Sequence, residues 1–598
     1  MTARYQPDAS RAVPAPGQAA LPAVNAAELL RRNGTDPGFR DRVAIRFGTD
    51  TWSHADYYAE CCRWANLFQT HRRPMRPLHV GVLLDNSPDY LFALGGAGLV
   101  GAAVVGLNHT RVGEALARDI GHTDLSLVVT ETGHLDALAA IGDQLSFGAD
   151  NVYVSRRFDD VGTASRAGGL LSSRDLADAI DAVDGNDPGL LPDVMVPWAL
   201  IFTSGTSAAP KAVICSQKRL LQTGARMTQL LDVGADDVGY VCMPLFHSNA
   251  VMVGWMPSLV AGASVGLARK FSASGWLPDV RRFGATWFNY TGKPLSYIVA
   301  TAEQPDDAEN TLRVAFGNEG SPDVIERFGT RFAVQVIDAF GATEGGIAVS
   351  RDGAVKAGAM GIAGEGIRII GDNGEACPIA VLDPEGRLAN ADACVGEIVN
   401  TAGAGPFEGY YNNPDATEKT LRNGWYWSGD LGYLDADRNL FFAGRTADWV
   451  RVDGENFPAG PIEVALSSHP DVVIAAVYGV PDESAGDQVM AALVWRPGTG
   501  TNFDGEAFAR WVDAFPDLGP KWRPRYLRLA RELPTTGTNK VVKRTLVHHQ
   551  VRRDRVGEAD ELWVRGRGED VYRPFTAADE LGLARAFAAN GRDRFWDL

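Results

Sequence analysis

A short apolar strand that runs directly into a loop of hydroxyls, glycine, proline and lysine restricts the fold of this chain more than any other feature. The segment spans residues 199–212 and has the sequence ALIFTSGTSAAPKA. Backbone N–H groups in such a loop form a concave anion site, hydroxyls add donors for phosphate oxygens, and Lys211 supplies a mobile positive charge. The spacing differs from that of a Walker loop. These residues alone indicate either a phosphate loop or a surface loop rich in serine and threonine.

Strand-like and helix-like segments alternate around this loop through most of the first two-thirds of the chain. The run His79–Leu84 predicts a strand, Asp89–Val100 predicts a helix, and Ala102–Leu107 predicts a further strand. Alternation of this kind is typical of α/β layers with largely parallel sheets. We therefore predict an α/β fold.

The chain is too long for one hydrophobic core. It has 598 residues, whereas single cores stop growing at about 250–300 residues. Residues 1–25 are rich in proline and alanine and predict a disordered leader, and the pattern changes near Gly444–Val450. We predict a large multi-layer N-terminal domain over 26–444 and a small, mobile α+β C-terminal domain over 445–598.

Composition argues against several classes of protein. The net charge of −17 disfavours a nucleic-acid-binding protein, which would normally present a basic face. The apolar stretch Tyr90–Leu107 is interrupted by five glycines, so no transmembrane segment is predicted. The six cysteines form no CxxC pair, the histidines complete no zinc pattern, and no ligand cluster of a metalloenzyme stands out. Reduced thiols in a cytoplasmic protein are expected.

The loop at 203–212 resembles the TSGT–PK signature of the adenylate-forming superfamily, which includes acyl-CoA synthetases, peptide-synthetase adenylation domains and luciferases. Ala208 and Ala212 stand where the family usually has glycine, and alanine stiffens a loop because it restricts φ. The resemblance gives Lys211 a catalytic, charge-neutralising role. The loop residues that it assigns to nucleotide binding are Thr203, Ser204, Gly205 and Thr206.

A second segment, Asp338–Glu344, matches the next element of that family with the sequence DAFGATE. The resemblance implies that Phe340 stacks on adenine, that Thr343 contacts the α-phosphate, and that Glu344 holds Mg²⁺. A hard divalent cation does prefer carboxylate oxygen. The further nucleotide contacts implied by this element and by the upstream FGNEG stretch are Gly317, Asn318, Glu319, Asp338 and Gly341.

Later motifs follow in the order that the family has them. The resemblance places Asp430 and Arg445 on the ribose, and Gly454 beside the pantetheine path of coenzyme A. It makes Lys540 the catalytic lysine that neutralises charge when the carboxylate attacks the α-phosphate. Asn539 replaces the usual glycine before that lysine, and asparagine tolerates left-handed backbone angles better than most residues.

The resemblance also implies where an acyl group would lie. His247, in a PLFH element, together with Phe288, Tyr290 and Gly341, is assigned to the acyl substrate. An isolated histidine beside apolar residues is also compatible with a core position. The WFNYTGKP and FGNEG stretches are most similar to the very-long-chain, fatty-acid-transport branch and to actinobacterial ligases of fatty or steroid side-chain acids.

The expected reaction is ATP- and Mg²⁺-dependent formation of an acyl-AMP from a fatty, steroid side-chain or aryl acid, followed by thioester formation with CoA. The small domain would swing about a hinge at Ala447 between the two steps. Carrier-protein loading, amide formation and nitrite activation for diazotisation of an aryl amine are the alternatives that keep the adenylation step. A non-catalytic scaffold is the alternative from another class, and homodimerisation stays open.

Overall fold

The computed structural model describes most of the chain. The described residues are 19–145, 148–159, 173–203, 210–318, 320, 322–339, 341–350, 355–356, 359–371, 373–381, 388, 390–445, 449–452, 455–484, 487–496, 503–515, 518, 521–536, 541–557, 559–566, 568–590 and 592–596. No helix within these ranges has both the length and the apolar character that crossing a bilayer requires.

The strands, numbered in chain order, are β1 (Val43–Phe47), β2 (Asp50–Ser53), β3 (His79–Leu83), β4 (Ala103–Gly106), β5 (Leu127–Glu131), β6 (Val152–Ser155), β7 (Arg174–Asp175), β8 (Pro197–Phe202), β9 (Ala212–Ser216), β10 (Val238–Val241), β11 (Ser264–Leu267), β12 (Trp287–Thr291), β13 (Val314–Asn318), β14 (Gln335–Asp338), β15 (Val349–Ser350), β16 (Gly361–Ala363), β17 (Ile367–Ile370), β18 (Gly396–Asn400), β19 (Leu421–Arg422), β20 (Trp425–Leu434), β21 (Asn439–Arg445), β22 (Trp449–Val452), β23 (Glu455–Pro458), β24 (Val472–Pro481), β25 (Asp487–Trp495), β26 (Tyr526–Ala530), β27 (Glu561–Val564) and β28 (Arg573–Pro574).

The α-helices are α1 (Ala26–Thr35), α2 (His54–Thr70), α3 (Pro88–Val100), α4 (Glu114–His122), α5 (Leu135–Ala139), α6 (Leu176–Asp181), α7 (Gln217–Leu230), α8 (Met256–Ala261), α9 (Ala273–Phe283), α10 (Gly292–Val299), α11 (Pro322–Phe332), α12 (Ala391–Cys394), α13 (Pro414–Thr420), α14 (Gly460–Ser467), α15 (Gly505–Asp513), α16 (Lys543–His549), α17 (Ala577–Ala589) and α18 (Asp593–Trp596). A π-helix, Asn249–Trp255, leads into α8, and short 3₁₀ turns lie at Thr132–His134, Gly142–Gln144 and Ala149–Asn151.

Two seven-stranded sheets form the centre of the large N-terminal part. One has the order β14-β13-β12-β10-β11-β1-β2 and the other β7-β6-β5-β3-β4-β8-β9. Their neighbouring strands are parallel except at the β1–β2 and β8–β9 pairs. The predicted α/β class is confirmed. Parallel strands bring their carboxyl ends to one edge, where open α/β sheets usually bind ligands.

Helices α2 and α3 pack tightly in the core beside these sheets. Every residue of α3 is buried, and the helix ends at Gly101 with a left-handed φ of 65°. A Cβ added at Gly95 would lie 2.1 Å from the Cys61 sulfur, so the absence of a side chain allows the two helices to approach. This packing explains why glycine interrupts an otherwise apolar stretch.

The remaining described strands form an antiparallel sheet and a smaller C-terminal unit. The former has the order β15-β16-β21-β20-β18-β17, with β19 paired to β20. The latter contains the sheet β24-β25-β26-β27-β28, with apolar side chains buried on both of its faces. Tyr297 and Ala300 of the large part pack against this unit. The exact division at 444 and 445 stays a prediction.

The predicted leader needs a correction at its end. Residues 1–18 lie outside the described ranges, but Ala19 is buried and its carbonyl accepts a hydrogen bond from Gln222 at 3.0 Å. Asn25 caps α1 by accepting from the Glu28 N–H at 2.9 Å. These contacts hold residues 19–25 against the large domain, so they are ordered rather than part of a disordered leader.

Candidate active site

Strands β8 and β9 position the two ends of the predicted phosphate loop. The Thr203 N–H donates to the Lys211 carbonyl at 3.0 Å, which closes the loop on itself. Asn413 donates to the Pro210 carbonyl at 3.0 Å and fixes its far end. Ser204, Gly205 and Thr206 lie outside the described residues. The described ends form a narrow stem, which is the support that a phosphate-binding loop between them requires.

Glu344 and Thr343 are brought together with polar groups from three other segments. The Tyr410 hydroxyl donates to Glu344 Oε1 at 2.8 Å. The Ser248 and Thr343 hydroxyls share a hydrogen bond at 2.8 Å. The Lys211 ammonium lies 5.4 Å from the centre of the Tyr410 ring. Two predicted elements, the loop and the Thr343–Glu344 pair, therefore converge through Tyr410, which was not predicted.

Arg219 holds the backbone under this pair. Its guanidinium donates to the Glu344 carbonyl at 3.0 Å and also to the Thr343 carbonyl. A third bond joins it to the Ile214 carbonyl of β9 at 2.9 Å. The Arg219 residue is buried, so these carbonyls compensate for much of its desolvation. It links the strand that leaves the loop to the turn that carries the carboxylate.

Burial and the neighbouring Glu344 charge both raise the pKa of the Tyr410 hydroxyl well above its ordinary value. The phenol therefore stays protonated at physiological pH and acts as a donor to the carboxylate. Such a bond orients Glu344 without neutralising it, which leaves the carboxylate able to face a cation.

Asp338 is held by the strand beside it. The Tyr290 hydroxyl donates to Asp338 Oδ2 at 2.8 Å, and the Gly320 N–H donates to the same oxygen at 2.9 Å. A Cβ at Gly317 would lie 2.3 Å from the Tyr290 carbonyl oxygen, so only glycine fits there. The buried Asn318 Oδ1 has no hydrogen-bond partner within the described part of the chain. A polar ligand at this sheet edge would satisfy it.

The predicted ribose pair lies on neighbouring antiparallel strands. Asp430 on β20 is directly opposite Arg445 on β21, and the Asp430 side chain is largely buried. Four other predicted site residues fall outside the described residues: Glu319, Phe340, Gly454 and Lys540. Their assigned roles stay predictions.

The residues assigned to the acyl group divide between two environments. Phe288 is fully buried among Tyr240, Trp276 and Phe328, with ring centroids 5.5 to 6.5 Å away. That packing places it in the core under α9 and α11 and supplies no support for an acyl contact. Strand alternation points the neighbouring Asn289 to the opposite side, where it bonds Asn249 at 2.6 Å.

His247 lies two residues before the π-helix, which begins at Asn249. Its carbonyl accepts from the Val251 N–H at 3.2 Å, and Ser248 connects the same turn to Thr343. The PLFH element packs closely against β4, since a Cβ added at Gly106 would lie only 2.9 Å from the Phe246 Cα. π-Helical turns often mark functional sites. The position of His247 next to the Thr343 turn is compatible with its predicted acyl role.

One cluster was missed entirely. Asp85, His109 and His134 bring three metal-ligand atoms within 4.8 Å of one another, although the sequence showed no ligand cluster. Burial lowers the pKa of His134, but hydrogen bonds and negative charge from Asp85 and Glu131 outweigh it and raise the pKa to about 9. The three residues lie about 25 positions apart in the chain, a spacing that no local motif would reveal.

Family models match two parts of the chain. Residues 35–411 match the AMP-binding enzyme model, and residues 461–540 match the AMP-binding enzyme C-terminal domain. A steroid-22-oyl-CoA synthetase of Rhodococcus jostii (strain RHA1) is 44% identical over 558 residues, covering 93% of this chain and 96% of the relative. The medium/long-chain-fatty-acid–CoA ligase FadD17 of Mycobacterium tuberculosis is 46% identical over 491 residues, covering 82% and 89%.

Solved structures share the fold at lower identity. An anthranilate CoA ligase, AuaEII, in complex with anthranoyl-AMP has a TM-score of 0.73 at 20% identity, covering 87% of this chain and 96% of that one. The amide bond synthetase McbA from Marinactinospora thermotolerans has a TM-score of 0.66 at 23% identity, covering 87% and 99%. These likenesses concern the fold alone.

Proposed function

Since this chain belongs to the AMP-binding enzyme family, we propose that it is an acid–CoA ligase that uses ATP to form an acyl-adenylate and then a thioester. The arrangement of Thr343 and Glu344 carries the proposal. Arg219 holds their backbone, Tyr410 orients the carboxylate, and Ser248 joins them to the His247 turn. Groups suited to phosphate, cation and acyl binding therefore meet at one place.

The acid is proposed to carry a large apolar alkyl or steroid body. This choice rests on the two relatives, whose names describe activity on a steroid acid and on medium- or long-chain fatty acids, and on the large share of this chain that each of them matches. The aryl acids of the structural neighbours are a weaker guide, because those chains are only about one-fifth identical. We place the enzyme in the cytoplasm, where its two cosubstrates occur.

In the first step, a carboxylate oxygen forms a bond to the α-phosphorus while the bond to the pyrophosphate oxygen breaks. Both groups are anionic, so the protein must align them and neutralise their charge. Lys211 and Lys540 supply positive charge in this proposal, Thr343 contacts the α-phosphate, and Asp430 with Arg445 holds the ribose. In the second step, the thiol sulfur bonds to the acyl carbon as AMP departs.

The residues around Glu344 fit a magnesium ion bound with the nucleotide. The carboxylate is oriented by a neutral phenol, and the hydroxyl of the preceding residue, Thr343, bonds the Ser248 hydroxyl. This oxygen-only set suits Mg²⁺, which also takes phosphate and water ligands. When bound, the ion supplies positive charge to the phosphates.

The small C-terminal domain is proposed to contribute Lys540 to the first step and Gly454 to the second, with Ala447 at the hinge. One rotation of this domain would move Lys540 away from the acyl group and bring Gly454, beside the pantetheine path, towards it. This accounts for two reactions that need different groups at one acyl carbon.

Pyrophosphate release tests the proposal. The full-length protein would be incubated with ATP and Mg²⁺ over medium- and long-chain fatty acids, steroid side-chain acids and aryl acids, each with and without CoA. A Glu344→Gln variant gives the background. We expect acid-dependent release that turns over repeatedly only with CoA, and a thioester product by mass spectrometry.

Three outcomes would overturn the proposal or parts of it. Turnover without CoA stimulation would move the acceptor to an amine or to a carrier protein. Signal only with nitrite and an aryl amine would retain ATP activation but eliminate the carboxylate substrate. No acid-dependent signal with any substrate would reject the proposed activity for this panel of acids.

A further inference from the structure

A second site lies at the carboxyl edge of the sheet that carries the phosphate loop. Strands β3, β4 and β5 are parallel neighbours there. Asp85 follows β3 by two residues, and His109 and His134 each follow their strands, β4 and β5, by three. Because the carboxyl ends of the strands meet, residues remote in sequence place their side chains together.

We propose that Asp85, His109 and His134 bind one divalent transition-metal ion, Zn²⁺ in the first instance. Two imidazoles and one carboxylate are a ligand set that zinc accepts in three-ligand sites, with water in the remaining position. Magnesium and calcium prefer oxygen ligands only, so this set would discriminate against the ion proposed for Glu344.

The two distances from Asp85 agree with shared coordination. Asp85 Oδ1 lies 3.1 Å from His134 Nε2 and 3.5 Å from His109 Nδ1. Tetrahedral zinc with ligands at about 2.0–2.1 Å separates any two of them by about 3.3 Å. The one carboxylate oxygen therefore has both imidazole nitrogens at the separation that a common metal would impose.

His109 Nδ1 supplies a second, independent observation. The atom is buried and has no hydrogen-bond partner in the described part of the chain. Buried polar nitrogens are nearly always satisfied. A neutral imidazole nitrogen facing a carboxylate would gain a partner if a cation lay between the two groups.

Arg269 arranges the carboxylates around this position. Its guanidinium lies 3.9 Å from Asp85 Oδ2 and 2.9 Å from Glu131 Oε1. The arginine therefore faces one oxygen of Asp85 and leaves Oδ1 directed at the two histidines. Such outer contacts orient metal ligands in known sites. Once His134 has lost its proton, as metal binding requires, two carboxylates and one guanidinium leave one net negative charge for a cation.

The competing interpretation is an ion-pair network in which a proton on His134 takes the place of the metal. His134 Nε2 also lies 3.3 Å from Glu131 Oε1, a distance that suits either a proton or an outer carboxylate. The two interpretations differ in one measurable respect, because only a metal site binds zinc with a fixed stoichiometry.

The site also contacts the proposed acyl element. The His109 ring meets the Phe246 ring edge-on, with centroids 5.1 Å apart, and Phe246 directly precedes His247. A bound ion would hold this wall of the acyl element in place. No step of the ligase reaction passes through it.

Zinc binding to the untagged, full-length protein tests the site. Metal-free protein without ATP would be dialysed against Zn²⁺ and measured by elemental analysis, with Co²⁺ absorption as a probe of imidazole coordination. We expect about one ion per chain for the wild type. Asp85→Asn and His109→Gln should each weaken binding by about ten-fold or more.

The matched control is His71→Gln. His71 is another partly buried histidine, and its Nε2 bonds the Tyr153 hydroxyl at 2.7 Å, so its loss should leave zinc binding intact. Circular dichroism identifies variants that fail to fold. His134→Gln removes the third proposed ligand and, where it folds, provides a further test. Absence of zinc binding by the wild type, or equal binding by folded Asp85→Asn and His109→Gln, would overturn the proposal and leave a protonated ion-pair network. The readout is independent of ligase activity.

Discussion

The Tyr410 hydroxyl donates a hydrogen bond to Glu344 Oε1 at 2.8 Å. A hydrogen bond to a charged group contributes about 1.5–3 kcal/mol. If Glu344 holds the nucleotide-bound cation, Tyr410→Phe should lower kcat/KM for MgATP by about 10- to 150-fold. Pyrophosphate release at varied Mg²⁺ measures the change.

The next residue provides the control for that variant. The Tyr411 hydroxyl bonds Asp124 at 2.8 Å, away from the proposed nucleotide site. Tyr411→Phe should therefore leave kcat/KM near the wild-type value. Equal losses in the two variants would show that the Tyr410–Glu344 bond has no specific role.

Lys540→Ala should separate nucleotide binding from adenylation. Removal of one preorganised charge-stabilising group costs about 100- to 1,000-fold in rate, whereas other groups are proposed to hold the ribose and adenine. We expect pyrophosphate release to fall by that factor and ATP affinity, measured calorimetrically, to be largely retained. Lys543→Ala is the control, because Lys543 pairs with Glu463 at 2.9 Å. Normal release by Lys540→Ala would refute the assigned role.

Ala447→Pro should impair the thioester step more than adenylation. Proline fixes φ and lacks an N–H, so it restricts the backbone at the proposed hinge. We expect single-turnover thioester formation from preformed adenylate to slow by about ten-fold, which is about 1.4 kcal/mol, with a smaller loss in adenylate formation. Ala447→Gly, which keeps the hinge free, should show neither effect. An equal loss in both steps for the proline variant would contradict the hinge.

Because the Asp89 carboxyl is buried, we expect an uncharged side chain at this position to raise the free energy of unfolding by an amount that depends on pH. Burial raises its pKa to about 6, although Ser155, which donates to Asp89 Oδ2 at 2.5 Å, and the Arg157 charge oppose the rise. The folded form therefore binds more protons than the unfolded form between about pH 4 and 6, and stability is lost as pH rises through that window.

Asp89→Asn does not titrate and should avoid this loss. Its gain over the wild type should be small near pH 4 and reach up to about 3 kcal/mol above pH 7. The difference in Tm between variant and wild type, compared at pH 5 and pH 8, measures it. Asp143→Asn, at an exposed position, should show little change. A gain for Asp89→Asn that is equal at both pH values would exclude titration as the cause.

The sequence was sufficient for the fold class and for the family resemblance, and both are confirmed. Apolar runs ended by glycine and turn residues predict buried strands and helices because local periodicity and burial are linked. The motif order added the family, since five short motifs in one order are a more specific signal than any one of them.

Contacts between distant segments could not be predicted in the same way. Arg219 reaches Glu344 across 125 positions, and Tyr410 reaches it across 66. No periodic pattern records such approaches. The family resemblance assigned Phe288 to the acyl wall, whereas its ring packs in the core against Trp276 and Phe328 of the neighbouring helices; its acyl role stays a prediction.

The position of β1 in its sheet has a consequence for biosynthesis. Ile45 pairs with Val265, so the hairpin of β1 and β2 leaves the ribosome long before its partner strand is made. At about 5–20 residues per second, the roughly 220 intervening residues take about 10–45 s. During that interval Ile45 and Trp52, both buried in the finished protein, are exposed on the nascent chain. Until then, the burial of this edge of the sheet depends on a strand that the ribosome has not yet supplied.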